Sequence, residues 1–233
     1  MKTTVVLAMT ADGKIADRDR TAARFGSPQD QWHLQQQVAL ADAVLFGAGT
    51  LRAYGTTLTV HHPDLQAQRL SQGKPEQPIQ MVCSRQAVFD PTWRFFSQPI
   101  PRWLLTTARG AIAWQNHSAF DRVVIVPERQ DPAQANDQPW DWLTIFQQFS
   151  QEGIDRLAVL GGGELVGSLF AADLVNELWL TVCPLILGGT AAPSPVAGAG
   201  FLAKQAPRLK LLAVKPVEQE VFLHYRVLRE NEA

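Results

Sequence analysis

Short apolar runs recur along this chain at a nearly even spacing, with helical patterns between several of them, and that alternation restricts the fold more than any single motif. The runs cover residues 3–9, 43–46, 79–83, 103–106, 123–126, 157–160 and 178–183. Each is short, apolar, mostly rich in β-branched residues and bounded by turn residues, the pattern of a buried strand. Helical spacing, apolar residues at three and four, appears at residues 30–40, 140–152 and 164–172; in the second, Trp140, Leu143, Phe146 and Phe149 follow one another at intervals of three. Strand alternating with helix predicts parallel pairing. The end of the chain changes style, because residues 209–217 and 220–228 are adjacent strand-like runs separated only by a short turn. They predict an antiparallel hairpin. The expected class is α/β: a mixed, mostly parallel sheet flanked by helices and closed at one edge by that hairpin.

Residues 56–77, 128–139 and 187–200 read as loops, from their His, Pro, Gly, Asp and Ala content. Apolar runs resume at the same spacing on both sides of each, so the chain is expected to form a single domain, 1–233, with long excursions of the kind that often serve as binding loops. Composition agrees with a packed core: 46% of the 233 residues are hydrophobic and 18% charged. The balance of 21 Lys and Arg against 22 Asp and Glu offers no footprint for nucleic acid or an anionic membrane surface, so neither partner is expected. The opening apolar run is broken at Asp12-Gly13-Lys14, too early for a secretory signal, and Cys83 and Cys183 sit in apolar segments as reduced thiols would. A cytoplasmic protein is expected.

The strongest chemical signal is the run 157–160 leading into Gly161-Gly162-Gly163-Glu164-Leu165-Val166-Gly167 and then a helix. Glycines let a phosphate approach the backbone, and the unpaired N–H groups at a helix start favour its charge. A tight turn without a ligand is the alternative, and three consecutive glycines favour phosphate. Val44-Leu45-Phe46 running into Gly47-Ala48-Gly49-Thr50-Leu51-Arg52 repeats the layout. There Thr50 and Arg52 are candidates to touch a nucleotide, with Thr50 equally readable as a plain helix cap. Two such strand ends in one α/β sheet suit a dinucleotide at the carboxyl edge. Ser84-Arg85 follows another strand, where a hydroxyl and a guanidinium suit a 2′-phosphate and so NADPH over NADH, against the plain alternative of a solvated Arg. Asp12 and Lys14, in the turn after the first strand, are candidates to hold and protonate a substrate, against the alternative of a simple Asp-Gly turn. There is no zinc-deaminase signature and no nucleophile elbow, and the pair His61-His62 reads as solvated rather than as metal ligands.

Taken in order, residues 11–16, 42–53, 79–84, 161–170 and 174–178, with Pro184-Leu185-Ile186-Leu187-Gly188-Gly189, resemble the bacterial riboflavin-biosynthesis pyrimidine reductases, the reductase domain of the bifunctional deaminase-reductase. The resemblance implies a dihydrofolate-reductase-like fold in one reductase domain, a homodimer, NADPH, and hydride transfer to the ribosyl carbon of an aminouracil phosphate. The activity it implies is 5-amino-6-(5-phosphoribosylamino)uracil reductase. It matches Thr50 and Ser84 to positions that contact NADPH, Gly162, Gly163 and Glu164 to a phosphate-binding turn, and Lys14 to the lysine that positions the substrate sugar; the reading of the residues adds Gly47, Gly49, Arg52, Arg85, Gly161 and Leu165 to the cofactor site, Arg24, Ser27, Leu58 and His61 to the substrate contacts, and Asp12 to catalysis with Lys14. No metal is expected. The sequence departs from the family at Val38 and His61, where arginines are expected, at Tyr54, where an aspartate is expected, and at Leu160, where an acidic residue is frequent. Those departures keep two alternatives open: a reductase of the same family acting on another pteridine-like or carbonyl compound, and a non-catalytic nucleotide-binding protein.

Overall fold

The computed structural model describes residues 1–115, 117–127 and 140–229. Its elements in chain order are β1 (Lys2–Thr10), α1 (Pro28–Leu40), β2 (Ala43–Gly47), α2 (Ala48–Tyr54), α3 (Pro63–Ser71), β3 (Ile79–Cys83), β4 (Arg102–Thr106), α4 (Ala108–Ala111), β5 (Arg122–Ile125), α5 (Trp142–Gln151), β6 (Arg156–Val159), α6 (Gly163–Ala171), β7 (Glu177–Cys183), β8 (Arg208–Val217) and β9 (Glu220–Leu228), with a 3-10 turn at Arg94–Ser97. The nine strands make a mixed, mostly parallel sheet with the hairpin β8-β9 at the C-terminal end, as the sequence pattern predicts. The chain clusters into two compact units, one of residues 1 and 35–158, the other of residues 2–34 and 159 onward.

In the first unit the strands lie in the order β5-β4-β3-β2-β6, and β2, β3, β4 and β5 pair parallel. Val44, Leu45 and Phe46 are all buried, which explains why β2 reads as a continuous apolar run and not as an alternation. Helix α5 starts at Trp142 because the Asp141 carboxylate accepts from Thr144 N. It buries Trp142, Ile145, Phe146 and Phe149 and leaves Leu143 49% exposed, so the apolar row differs from the one expected from Trp140 and Leu143. The segment 56–77 is not a loop throughout: it holds α3, capped by the His62 ring, which accepts from Asp64 N, with Pro63 in the first turn. One turn apart on that helix, Leu65 and Arg69 face inward. Arg69 is 1% exposed, and its guanidinium donates to the carbonyls of Ala39, Ala41 and Pro75 at 2.6–2.8 Å. The loop expected at 128–139 lies outside the described residues.

In the second unit the order is β1-β7-β9-β8, with β1 and β7 parallel and the rest antiparallel. Ser27 caps α1, its hydroxyl accepting from Asp30 N at 3.2 Å. No regular element occupies residues 184–207, in keeping with a loop at 187–200. Strand β8 is exposed along nearly its whole length, including Leu209, Leu211, Leu212 and Val214, and a bulge interrupts its register between Leu211 and Ala213. No helix among the described residues is long and apolar enough to cross a membrane.

Candidate functional site

The glycine run lies where the sequence puts it. Gly161 follows β6 with φ +95°, a conformation L side chains rarely adopt, and Gly162 precedes the first residue of α6. Among the described residues no side chain caps α6, so the first N–H groups of the helix are left for another acceptor. Gly163 also serves packing. A Cβ there would stand 2.3 Å from the Ser194 carbonyl oxygen, and one at Gly167 would stand 1.9 Å from that of Ala197. The absence of a side chain at these two glycines lets the backbone of residues 194–197 lie against the helix. Glu164 is exposed in the first turn and Leu165 is buried, so Leu165 offers a ligand only its backbone.

In the first unit, the register pairs Gly47 with Cys83, which sets Gly47 and Ser84 at the carboxyl ends of neighbouring parallel strands. The cap of α2 is Gly47 and not Thr50, which sits at the third position of the helix. That removes the plain-cap account of its hydroxyl. Gly49 and Arg52 are exposed, and a Cβ at Gly49 would meet nothing within 4 Å. Ser84 is 8% exposed; its hydroxyl accepts from Ala87 N at 3.0 Å and so shapes the turn after β3. Arg85 is exposed, while its carbonyl is held by the Thr107 hydroxyl at 2.9 Å. Within this unit, Gly49 at an open approach and the exposed Arg52 and Arg85 guanidinium groups suit a phosphate.

The turn after β1 is tightly built. Thr10, fully buried, donates its N–H to the Lys14 carbonyl at 2.9 Å and accepts the Lys14 N–H on its hydroxyl at 3.0 Å. The same hydroxyl donates to Asp12 at 2.5 Å. Asp12 also accepts the N–H groups of Leu187 at 3.2 Å and Gly188 at 2.6 Å. The Thr10 hydroxyl, followed by those amides, holds the Asp12 carboxyl below its ordinary range. The Lys14 side chain is half-buried and Arg24 is exposed. Ser27 is anchored: its N–H and hydroxyl both donate to Glu220, at 2.8 and 2.6 Å. Burial pushes Asp30 up and takes the Cys183 thiol, which contacts Glu220, to about 12. Sequence reasoning missed this anchoring, since nothing local ties Glu220 to Ser27 or Asp12 to the 187–188 amides.

The remaining expected substrate residues belong to the first unit. The Leu58 carbonyl accepts weakly from Gln80, at 3.5 Å. His61 is exposed, but its ring is engaged by Gln35 at 3.2 Å and by the Thr59 carbonyl at 3.3 Å, and Gln35 also accepts the N–H of His61 and of His62. Val38 is fully buried in the core. Tyr54 is 37% exposed. No group of three or more His, Cys, Asp and Glu able to hold a metal occurs among the described residues.

The fold itself defines a class. The chain superposes on a pyrimidine reductase-like protein from Corynebacterium diphtheriae with a TM-score of 0.78 at 20% identity, covering 98% of this chain and 92% of that one. A dihydrofolate reductase from Enterococcus faecalis shares the fold with a TM-score of 0.50 at 10% identity, covering 97% and 96%. The architecture is dihydrofolate-reductase-like. Within that class, residues 1–223 match the RibD C-terminal domain, and the chain belongs to that family. It is 28% identical over 200 residues to the 2,5-diamino-6-ribosylamino-4(3H)-pyrimidinone 5′-phosphate reductase of Archaeoglobus fulgidus, covering 86% of this chain and 88% of the relative. It is also 28% identical over 222 residues to the riboflavin biosynthesis protein RibD of Escherichia coli, covering 94% of this chain but spanning only 58% of that protein.

Proposed function

We propose that this chain is an NADPH-dependent reductase of riboflavin biosynthesis that reduces the ribosyl carbon of 5-amino-6-(5-phosphoribosylamino)uracil to the ribityl product. The observation that carries the reading is membership of the RibD C-terminal domain family over residues 1–223, joined to a reductase relative matched over most of its own length. A reductase family with this fold points to a nicotinamide cofactor, and the exposed Arg85 beside Ser84 favours the form bearing a 2′-phosphate. In this reading Gly161, Gly162, Gly163, Glu164 and Leu165 present the helix start to phosphate, and Gly47, Gly49, Thr50 and Arg52 present a second open strand end. NADPH, when bound, supplies the hydride. Lys14 holds the substrate sugar, Arg24 supplies the exposed cation on the substrate side, and Leu58 and His61 complete the substrate contacts. Residues 1–233 act as one reductase domain in the cytoplasm.

The same reading includes a homodimer. The exposed apolar edge of β8, with Leu211 at 49% and Val214 at 54%, supports a second copy pairing there. Leu211→Glu should then yield monomers in sedimentation.

One observation favours a second reading, a different pteridine-like or carbonyl substrate. Val38 is fully buried where the family resemblance expects an arginine, and Leu160 stands where an acid is frequent. NADPH oxidation by the purified protein, measured with the aminouracil and with the 2,5-diaminopyrimidinone ribosyl phosphates, separates the readings. Turnover of either supports the pathway assignment. Tight NADPH binding without turnover of either moves the assignment to another substrate or to a non-catalytic binding protein.

A further inference from the structure

Two sequence motifs a long way apart in the chain, Asp12-Gly13-Lys14 and Leu185-Ile186-Leu187-Gly188-Gly189, prove to be one construction. Asp12 takes the N–H of Leu187 on one carboxylate oxygen and that of Gly188 on the other. Ala11 N donates to the Leu185 carbonyl and Ile15 N to the Pro193 carbonyl, each at 2.9 Å, so two further hydrogen bonds stitch the turn to the segment besides its carboxylate contacts. The far end of the segment is fixed as firmly. Ala197 N donates to the Gly163 carbonyl at 3.0 Å, and the backbone of 194–197 occupies the space that side chains at Gly163 and Gly167 would fill.

We propose that Asp12 is a positioning residue, and that residues 185–197 form a strap by which its carboxylate sets both the Lys14 turn and the first turn of α6. The near end works through Thr10, whose hydroxyl donates to Asp12 while its N–H and hydroxyl hold the Lys14 backbone. The far end works through Ala197 on Gly163, the first residue of the helix assigned to cofactor phosphate. A carboxylate accepting three hydrogen bonds is ill suited to donate a proton and well suited to organise backbone N–H groups. The assignment of those two turns to substrate and cofactor rests on the proposed function; the strap itself does not.

Asp12→Asn tests it, because the amide is nearly isosteric and turns one acceptor into a donor facing a backbone N–H. Amide hydrogen exchange should accelerate at Leu187 and Gly188 by about tenfold or more, the loss of a charge-assisted bond, and also at Ala197. The NADPH dissociation constant and the substrate KM should both rise, with the pH profile of kcat keeping its shape. Faster exchange at 187–188 with Ala197 unchanged overturns the strap. An altered pH limb of kcat at unchanged KM overturns the positioning role and makes Asp12 the proton donor. Exchange needs neither cofactor nor turnover, so a wild type inactive on both pyrimidines would refute the proposed function and leave the strap decided by exchange alone. Should Asp12→Asn fail to fold, Thr10→Val cuts only the near link: KM should rise while NADPH affinity and exchange at Ala197 stay put, and a rise in all three overturns the division into two ends.

Discussion

At Gly162 and again at Gly47 a strand passes through glycine into a helix that no side chain among the described residues caps. Beyond that likeness the two turns are built for different reasons. At α6 the glycines at 163 and 167 are demanded by the chain's own backbone, which lies where their side chains would be. At α2 nothing among the described residues demands Gly49, whose absent Cβ faces open space, and the helix is only 7 residues long. A glycine run in a sequence thus mixes two messages, close packing and open approach, and one run can carry both.

Four substitutions probe that contrast. The largest effect is expected from Gly162→Val, which sets a branched side chain at the open start of α6. Calorimetry should show NADPH affinity weakened by about two powers of ten, or about 3 kcal/mol, in a protein that still folds. Unchanged affinity would reduce α6 to a packing turn. Next, Arg85→Ala should cost about 1.5–3 kcal/mol of NADPH binding and leave NADH affinity where it was; equal losses would remove the 2′-phosphate from the β3 end.

The two smaller effects concern stability. Gly167→Ala should lower the unfolding free energy by about 1–3 kcal/mol, read from the urea midpoint, because its Cβ would meet the Ala197 carbonyl. An unaltered midpoint would show that the 194–197 backbone yields freely. Gly49→Ala, by contrast, should stabilise by no more than about 1 kcal/mol. If instead it destabilises as much as the change at 167, the two turns are alike and the comparison fails.

Much of this was readable in advance, and the exceptions have causes. Strands such as β3 and β9 appear at their predicted bounds because a run like Gln80-Met81-Val82, buried throughout, has no competing period. Helix α3 was hidden by its composition: a His cap, a Pro at the first position and only Leu65 and Arg69 facing inward leave almost no apolar stripe. The shifted face of α5 shows the same limit, since an aromatic-rich helix offers more than one apolar row and packing selects between them. At the candidate site, positions were legible and commitments were not. Ser84 and Ser27 stand where expected, yet their hydroxyls are already bonded to Ala87 N and to Glu220. Such bonds join residues by the fold, which no local pattern encodes.

Arg69 makes the excursion between β2 and β3 indispensable. Its guanidinium is the hydrogen-bond partner of the Ala39 and Ala41 carbonyls, where α1 ends and the chain turns toward β2, and of Pro75 on the way back out. An engineer seeking a minimal scaffold would see residues 56–77 as the first piece to trim. Trimming them would strip the buried Ala39 and Ala41 carbonyls of that donor, and lysine in place of the arginine would give one point of attachment where a planar fork now serves three. Any shortened or grafted version of this scaffold has to carry the α3 segment with it.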